Sequence, residues 1–203
     1  MLFPFMEGSH ARRAVFAIFS IAVLGLVVMT VRRSPALTWV ALLLGVPAIA
    51  LRIIEAAYGS DVLLPYSAAP EAGLYFYAAG ALIAYTLADH DVTRDELFAV
   101  GAIFTLLAWG FASVYTVSQA IESGSYLAAT DPMGERTWVE LLLLSFTTLS
   151  NIGVGDVVPI KPFARGLVMI EQLAGLALIA ILIARLVGLT VSWRRSATEA
   201  DRR

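Results

Sequence analysis

The 203-residue sequence contains no cysteine. Disulfides, thiol nucleophiles and thiolate metal sites are therefore excluded. Histidine is nearly as scarce: with only His10 and His90, imidazole acid–base chemistry has little to draw on. Charge is also sparse, at 15% of residues against about a quarter in soluble domains. The chain is instead 59% hydrophobic, with a mean hydropathy of +0.80. This composition reads as an integral membrane protein, and its apolar runs predict an all-α one. The net charge of −2 carries little information, because the charges are segregated along the chain. No internal repeat is visible, although carriers generally show repeated halves or broken helices in matching positions. No span carries positive residues at every third position, the pattern a voltage sensor needs.

The apolar runs predict a sequence of spans. Ala14–Val31, flanked by Arg12-Arg13 and Arg32-Arg33, is long enough to cross a bilayer if its ends snorkel. Ala36–Ala57 is the second span, with Pro47 predicting a kink. Near its end Arg52 and Glu55 stand three apart on one helical face, an arrangement that lets them neutralise each other. Tyr58–Pro70, rich in Gly, Ser and Pro, reads as a loop, and Ala72–Ala88 as a short third span. After an acidic link, Thr93 or Asp95 is placed to cap the helix Leu97–Ile121. Ser123–Arg136 reads as a polar linker, and Phe163–Val191 as the last span, followed by a fraying polar tail from Ser192.

Between linker and last span, Thr137–Leu149 is apolar but too short to cross, which suits a re-entrant helix surrounded by protein. Thr137-Trp138-Val139-Glu140 fits a capping box, giving Glu140 a structural role that competes with ion binding. The helix runs into Thr147–Asp156, TTLSNIGVGD, where glycines alternate with larger residues and an acid follows. An extended strand turns successive carbonyl oxygens to one side only if some residues take φ > 0, which glycine does without a Cβ penalty. Stacked rings of such carbonyls can replace the hydration shell of a cation. A helix C-terminus aimed at a central cavity would add a favourable partial negative charge.

Thr148–Pro159, TLSNIGVGDVVP, resembles the pore signature of tetrameric potassium channels, T-x-x-T-x-G-[YF]-G-D, and the likeness extends from about Asp95 to Trp193. Asn151 stands where that pattern has Thr, and Val154 where it has Tyr or Phe. The resemblance implies three parts: N-terminal membrane helices over 1–94, an ion-conducting pore domain over 95–193, and a short basic cytoplasmic tail over 194–203. It implies a helix, re-entrant pore helix, filter and helix, repeated around an axis in a homotetramer. Potassium, or sodium, is then the transported ion, with membrane lipids as surroundings, no organic cofactor and no nucleic-acid partner. The location would be the plasma membrane, with the C-terminus in the cytoplasm. Counting spans back puts Arg12-Arg13 outside; either the N-terminus is external or Leu2–Met6 dips into the membrane.

The resemblance also assigns residues. The filter would comprise Ser150, Asn151, Ile152, Gly153, Val154, Gly155 and Asp156, with K⁺ held by the carbonyls of Asn151, Ile152, Gly153 and Val154. The Asn151 amide can present an oxygen but also carries NH₂ donors that repel cations, so the innermost site is expected to be altered. Val154 and the matching pore-helix residue Leu143 would be apolar together. Thr147, Thr148, Glu140 and Glu171 would support the filter, with Glu171 leaning toward Thr147 or Thr148. Gly175 matches a hinge glycine, and close helix packing is the competing explanation for it. Leu176, Ile179 and Ile183 would line the cavity, and Ala184, Val187 and Val191 would approach the axis as an apolar gate. Outward loops would hold Asp61, Glu71, Glu122, Asp131, Glu135 and Asp156, with Lys161 and Arg165 as interfacial anchors. A weakly selective cation channel is the nearest alternative function; a membrane enzyme or carrier is a distant one.

Overall fold

The computed structural model describes residues 38–58, 64–88, 94–129, 131–132 and 134–200, and the side chains of 39–54, 64–87, 98–129, 131–132 and 134–184. The expected span Ala14–Val31 lies outside these residues. The described residues form helices, one small sheet and the segments that connect them. Helix α1 is Thr38–Tyr58, α2 Leu64–Ala88 and α3 Arg94–Ile121; strand β1, Tyr126–Ala128, leads to the short helix α4, Trp138–Leu149. Strand β2, Val157–Pro159, and the long helix α5, Pro162–Ala200, complete it. Helix α2 packs between α1 and α3, and α4 lies against α3 and α5.

Small residues set how closely these helices approach. Ala41 and Ala48 of α1, Ala68 and Ala79 of α2, and Ala108 and Ala112 of α3 are all fully buried. A Cβ on Gly110 would meet the Phe76 ring at 3.0 Å, so α2 and α3 approach closely there and a larger residue would push that ring aside. Around these contacts Tyr75, Trp109 and Trp138 stack edge to face in series, with ring centroids 5.7 and 5.8 Å apart. Polar side chains in the helices turn back on their own backbone. Thr86, Thr105 and Thr116 each donate to the carbonyl four residues earlier, at 2.8–3.0 Å, so no hydroxyl among them needs water.

Several expectations are corrected here. The loop expected over Tyr58–Pro70 ends earlier, because α2 already begins at Leu64 and carries Pro70 within it. Pro65 occupies the first turn, where a missing N–H costs nothing. Pro70 forfeits one hydrogen bond, yet the helix continues through it, with Ala68, Ala72, Leu74 and Tyr75 buried on either side. Helix α3 starts at Arg94, so Asp95 lies inside it rather than capping it, while Thr93 falls outside the described residues. Helix α5 continues to Ala200, beyond the tail expected to fray. The Ser123–Arg136 linker contains β1, which pairs antiparallel with β2 in the register Tyr126↔Pro159, Leu127↔Val158 and Ala128↔Val157.

The side chain of Glu55, the partner expected for Arg52, lies outside those described. A pairing that the sequence did not suggest joins Arg52 to Glu71 on α2. Both residues are buried, at 5% and 1% exposure, so Glu71 is not a loop acid. Arg52 Nη2 donates to Glu71 Oε2 at 2.8 Å, and Nε donates to Oε1, giving a two-pronged pair. Removing Arg52 strands the Glu71 carboxylate in an apolar interior, and removing Glu71 takes away the acceptor of both prongs of the Arg52 guanidinium. Arg52→Leu or Glu71→Leu alone is therefore expected to lower stability by about 3–5 kcal/mol. The double substitution should recover most of that loss, as thermal unfolding of the detergent-solubilised protein would show.

Candidate functional site

The site is built around α4, which is held at both ends. At its start Thr137 takes extended backbone geometry (φ −69°, ψ 156°) and forms the capping box. Glu140 N donates to Thr137 Oγ1 at 3.3 Å, and Thr137 N donates to Glu140 Oε2 at 2.7 Å. Glu140 therefore has a structural task here. Behind it, Arg136 is almost fully buried, with Nη1 on Glu140 Oε1 at 3.2 Å and Nη2 on Gly134 O at 2.6 Å. Gln119 of α3 clamps the Arg136 backbone from both sides, donating to its O at 3.0 Å and accepting from its N at 2.9 Å. Arg136 was not among the expected site residues. Its adjacency to a capping box was the only signal, and burial of an arginine is not visible in sequence.

The helix ends in a Schellman arrangement. Ser150 closes it in αR geometry (φ −76°, ψ −5°), and Asn151 follows in the left-handed region at φ 57°. Asn151 N donates to Thr148 O at 2.9 Å and Ile152 N to Thr147 O at 3.0 Å. Thr147 O also accepts from Gly153 N at 3.1 Å. Two carbonyls that were expected to lend negative charge to the cavity are thus already engaged. Asparagine suits this position because its short polar side chain tolerates αL, where a β-branched Thr would be strained. The Asn151 amide nitrogen donates to Leu149 O at 3.4 Å, which turns the NH₂ group back toward the helix.

Positive φ was expected at the alternating glycines. Gly153 has it, at 67°, but the second left-handed residue is Asn151, not Gly155. The alternation is shifted two residues toward α4 because the helix cap itself demands αL at that place. Residues 151–156 are all exposed, including Ile152 at 68% and Val154 at 69%. Leu143, the pore-helix residue expected opposite Val154, is exposed as well. The far end of this segment is tied down by β2. Its pairing with β1 is extended by Ile160 N donating to Ser125 O at 2.8 Å, and Lys161 pairs with Glu122 at 3.3 Å. Lys161 and Glu122 thus brace each other, and Arg165 Nε donates to Pro159 O at 3.2 Å. Tyr126 of β1 is buried in this clasp, which pushes its hydroxyl up to about 12. Asp156 and Asp131 are exposed.

Glu171 on α5 is fully buried, and its partners differ from those expected. It accepts from Ser145 Oγ on α4 and from Tyr115 Oη on α3, not from Thr147 or Thr148. Ser145 Oγ also contacts Ala108 O at 2.8 Å, so this cluster joins three helices. Thr147 instead donates its hydroxyl to Leu143 O and Leu144 O, within its own helix. One turn beyond Glu171, Gly175 presses on the end of α4. A Cβ there would stand 2.0 Å from Leu149 O. Close packing, the rival explanation to a hinge, is what this contact demands. Farther along α5, Leu176, Ile183 and Ala184 are exposed and Ile179 is half-buried. The side chains of Val187 and Val191 lie outside those described.

Residues 97–192 match a family model described as Ion channel, a stretch just under half of the chain. No curated protein and no solved structure matches the chain. The matched stretch is thus channel-like, a transport rather than a catalytic domain, and it contains all of α4, β2 and the segment between them. Phe98–Ile121 and Pro162–Ala184 are long and apolar enough to cross a membrane, which supports a multi-pass membrane protein. Trp39–Ile54 and Trp138–Leu149 are apolar but shorter. Among the described residues no group of His, Cys, Asp or Glu is placed to hold a metal ion.

Two substitutions test this geometry. Gly175→Ala must displace the end of α4, so a clear loss of thermal stability is expected, larger than that of Gly166→Ala, whose added Cβ would meet open space. Glu171→Gln keeps an acceptor for Tyr115 and should stay close to the parent protein in thermal melts. Glu171→Ala leaves the buried Tyr115 hydroxyl without its partner, at about 1–3 kcal/mol, while Ser145 keeps the Ala108 carbonyl as an acceptor.

Proposed function

We propose that the chain forms a homotetrameric channel that passes K⁺ through rings of backbone carbonyls contributed by Asn151, Ile152, Gly153 and Val154. The observation that carries this reading is the state of residues 151–156. They form an exposed, non-helical segment with left-handed turns at Asn151 and Gly153, capped by α4 on one side and clasped by the β1–β2 pair on the other. Alternating left-handed residues are the backbone condition for turning successive carbonyls to one side. Irregular backbone at membrane depth is tolerated where it is covered by protein or lines a wet path. One chain covers little of this segment, and four copies about an axis would enclose it. The family match over residues 97–192 supports the same reading.

On this reading Ser150 and Asp156 bound the filter at its inner and outer ends, and Thr147, Thr148, Glu140 and Glu171 hold its base. Gly175 sets how close α5 comes to that base, and Leu176, Ile179 and Ile183 face the cavity, with Ala184, Val187 and Val191 continuing toward the gate. The C-terminus lies in the cytoplasm, and the membrane is the plasma membrane. Residues 1–94 add membrane helices without a voltage sensor. A weakly selective monovalent cation channel is the second reading. It is favoured by Asn151 itself, whose backbone lies in a helix cap and whose side chain is not the hydroxyl of the resembled family.

Purified protein in liposomes discriminates these readings. A reversal potential that follows the potassium gradient is expected; one that follows total monovalent cation supports the second reading, and no cation flux rejects both. Asn151→Gly, which keeps the left-handed turn, should retain flux. Asn151→Thr places a β-branched residue at φ 57°, a strain of about 1–2 kcal/mol, and should lower flux.

A further inference from the structure

An apolar cavity of about 230 Å³ opens between α2, α3 and α5, away from the segment described above. Its floor is the buried pair Thr86 and Ile103; Ile83 forms part of the wall, and Leu87, Ala177 and Ile181 form an exposed rim. Thr86 is the one hydroxyl in the lining, and it donates to Leu82 O at 2.8 Å. The walls therefore offer no set of polar groups to hold water, and a dry apolar cavity of even about 150 Å³ accepts small hydrophobic molecules.

The position of this groove on α5 selects its occupant. At 3.6 residues per turn, Ala174, Leu178 and Ile181 lie about half a turn around the helix from Leu176, Ile179 and Ile183. If the latter stripe faces a central axis, the groove faces away from it, toward the membrane hydrocarbon. This step rests on the proposed channel. The cavity is also too small for a further helix, which is about 10 Å across. A slender flexible hydrocarbon meets the constraints of size, polarity and access together.

We propose that this groove binds an acyl chain of a membrane lipid, inserted between α3 and α5 from the outer surface of the assembly. The bound chain would support α5 from behind, at the level of Ala177 and Ile181, on the side opposite the conduction path. Filling the groove from the protein side should displace it.

The test uses the full chain in vesicles of phosphatidylcholine carrying a diazirine within one acyl chain. After irradiation, adducts are mapped by peptide mass spectrometry. Labelling of Ile103, on the buried floor, is expected alongside labelling of the exposed α1 residues Leu43 and Val46. Ala177→Phe and Ala174→Leu should each abolish the Ile103 adduct and leave the α1 adducts in place. An unlabelled Ile103 beside labelled α1 overturns the proposal, and would mean that residues 14–31 or a second copy fill the groove. So would an Ile103 adduct that both filling variants leave unchanged. Cation flux from the same vesicles separates the two readings: flux with Ile103 unlabelled removes the lipid site alone. Labelling that the variants block, in vesicles that pass no cation, removes the channel reading and leaves the lipid site standing.

Discussion

One buried carboxyl group organises the site. Glu171 has no exposed surface, and its two oxygens are met by Tyr115 on α3 and Ser145 on α4. A carboxyl group in an apolar bundle is tolerated only when its hydrogen-bonding capacity is used. Meeting that demand fixes α5 against both neighbours. One turn later, the missing Cβ of Gly175 lets the same helix seat directly on the Leu149 carbonyl. These two contacts give a 12-residue helix, too short to be stable through propensity alone, a fixed position among longer helices.

From that fixed base the exposed segment acquires its shape. The Schellman closure determines where the first left-handed residue falls, and Gly153 supplies the second. Beyond Asp156 the chain is caught by β1, a strand that precedes α4 in sequence. The stretch from β1 to β2 is therefore a closed loop, with α4 and the exposed segment inside it and the two strands as its clasp. Strain or motion in the segment is confined between a helix cap and a strand pair, while its outer surface remains open.

What remains open is as informative as what is packed. In α5 only 11% of the most apolar window is buried within the chain, against 39% for α3. Apolar surface on that scale is normally covered by protein partners or by lipid. The two sides of α5 differ in shape: one carries a protruding stripe of Leu176, Ile179 and Ile183, and the other borders a recess between α2 and α3. Such unlike faces match the position that the proposed channel gives α5, between its axis and the bilayer.

Sequence reading reached those features whose physics is local. The capping box at Thr137 and Glu140 depends on residues three apart, and it was legible. So were the short length of α4 and the long apolar runs of α3 and α5. Features joining distant residues were not. Nothing near Arg52 in the sequence points to Glu71, nineteen positions along, with which it pairs. Pro70 signalled a loop, yet the helix continues through it with buried residues on either side. The strands are three residues each, below the length at which alternation is recognisable, and exist only because the chain returns to pair them.

Sequence alone determined the membrane character, the sub-length helix and the glycine-bearing stretch behind it, because hydropathy, helix length and local caps are written in neighbouring residues. Only the tertiary structure decided the partners of Arg52 and Glu171, the role of Gly175 and the shift of the left-handed turn to Asn151. Each of those depends on which helices face one another, and burial makes an unpartnered charge or a surplus methyl group costly only after that packing exists.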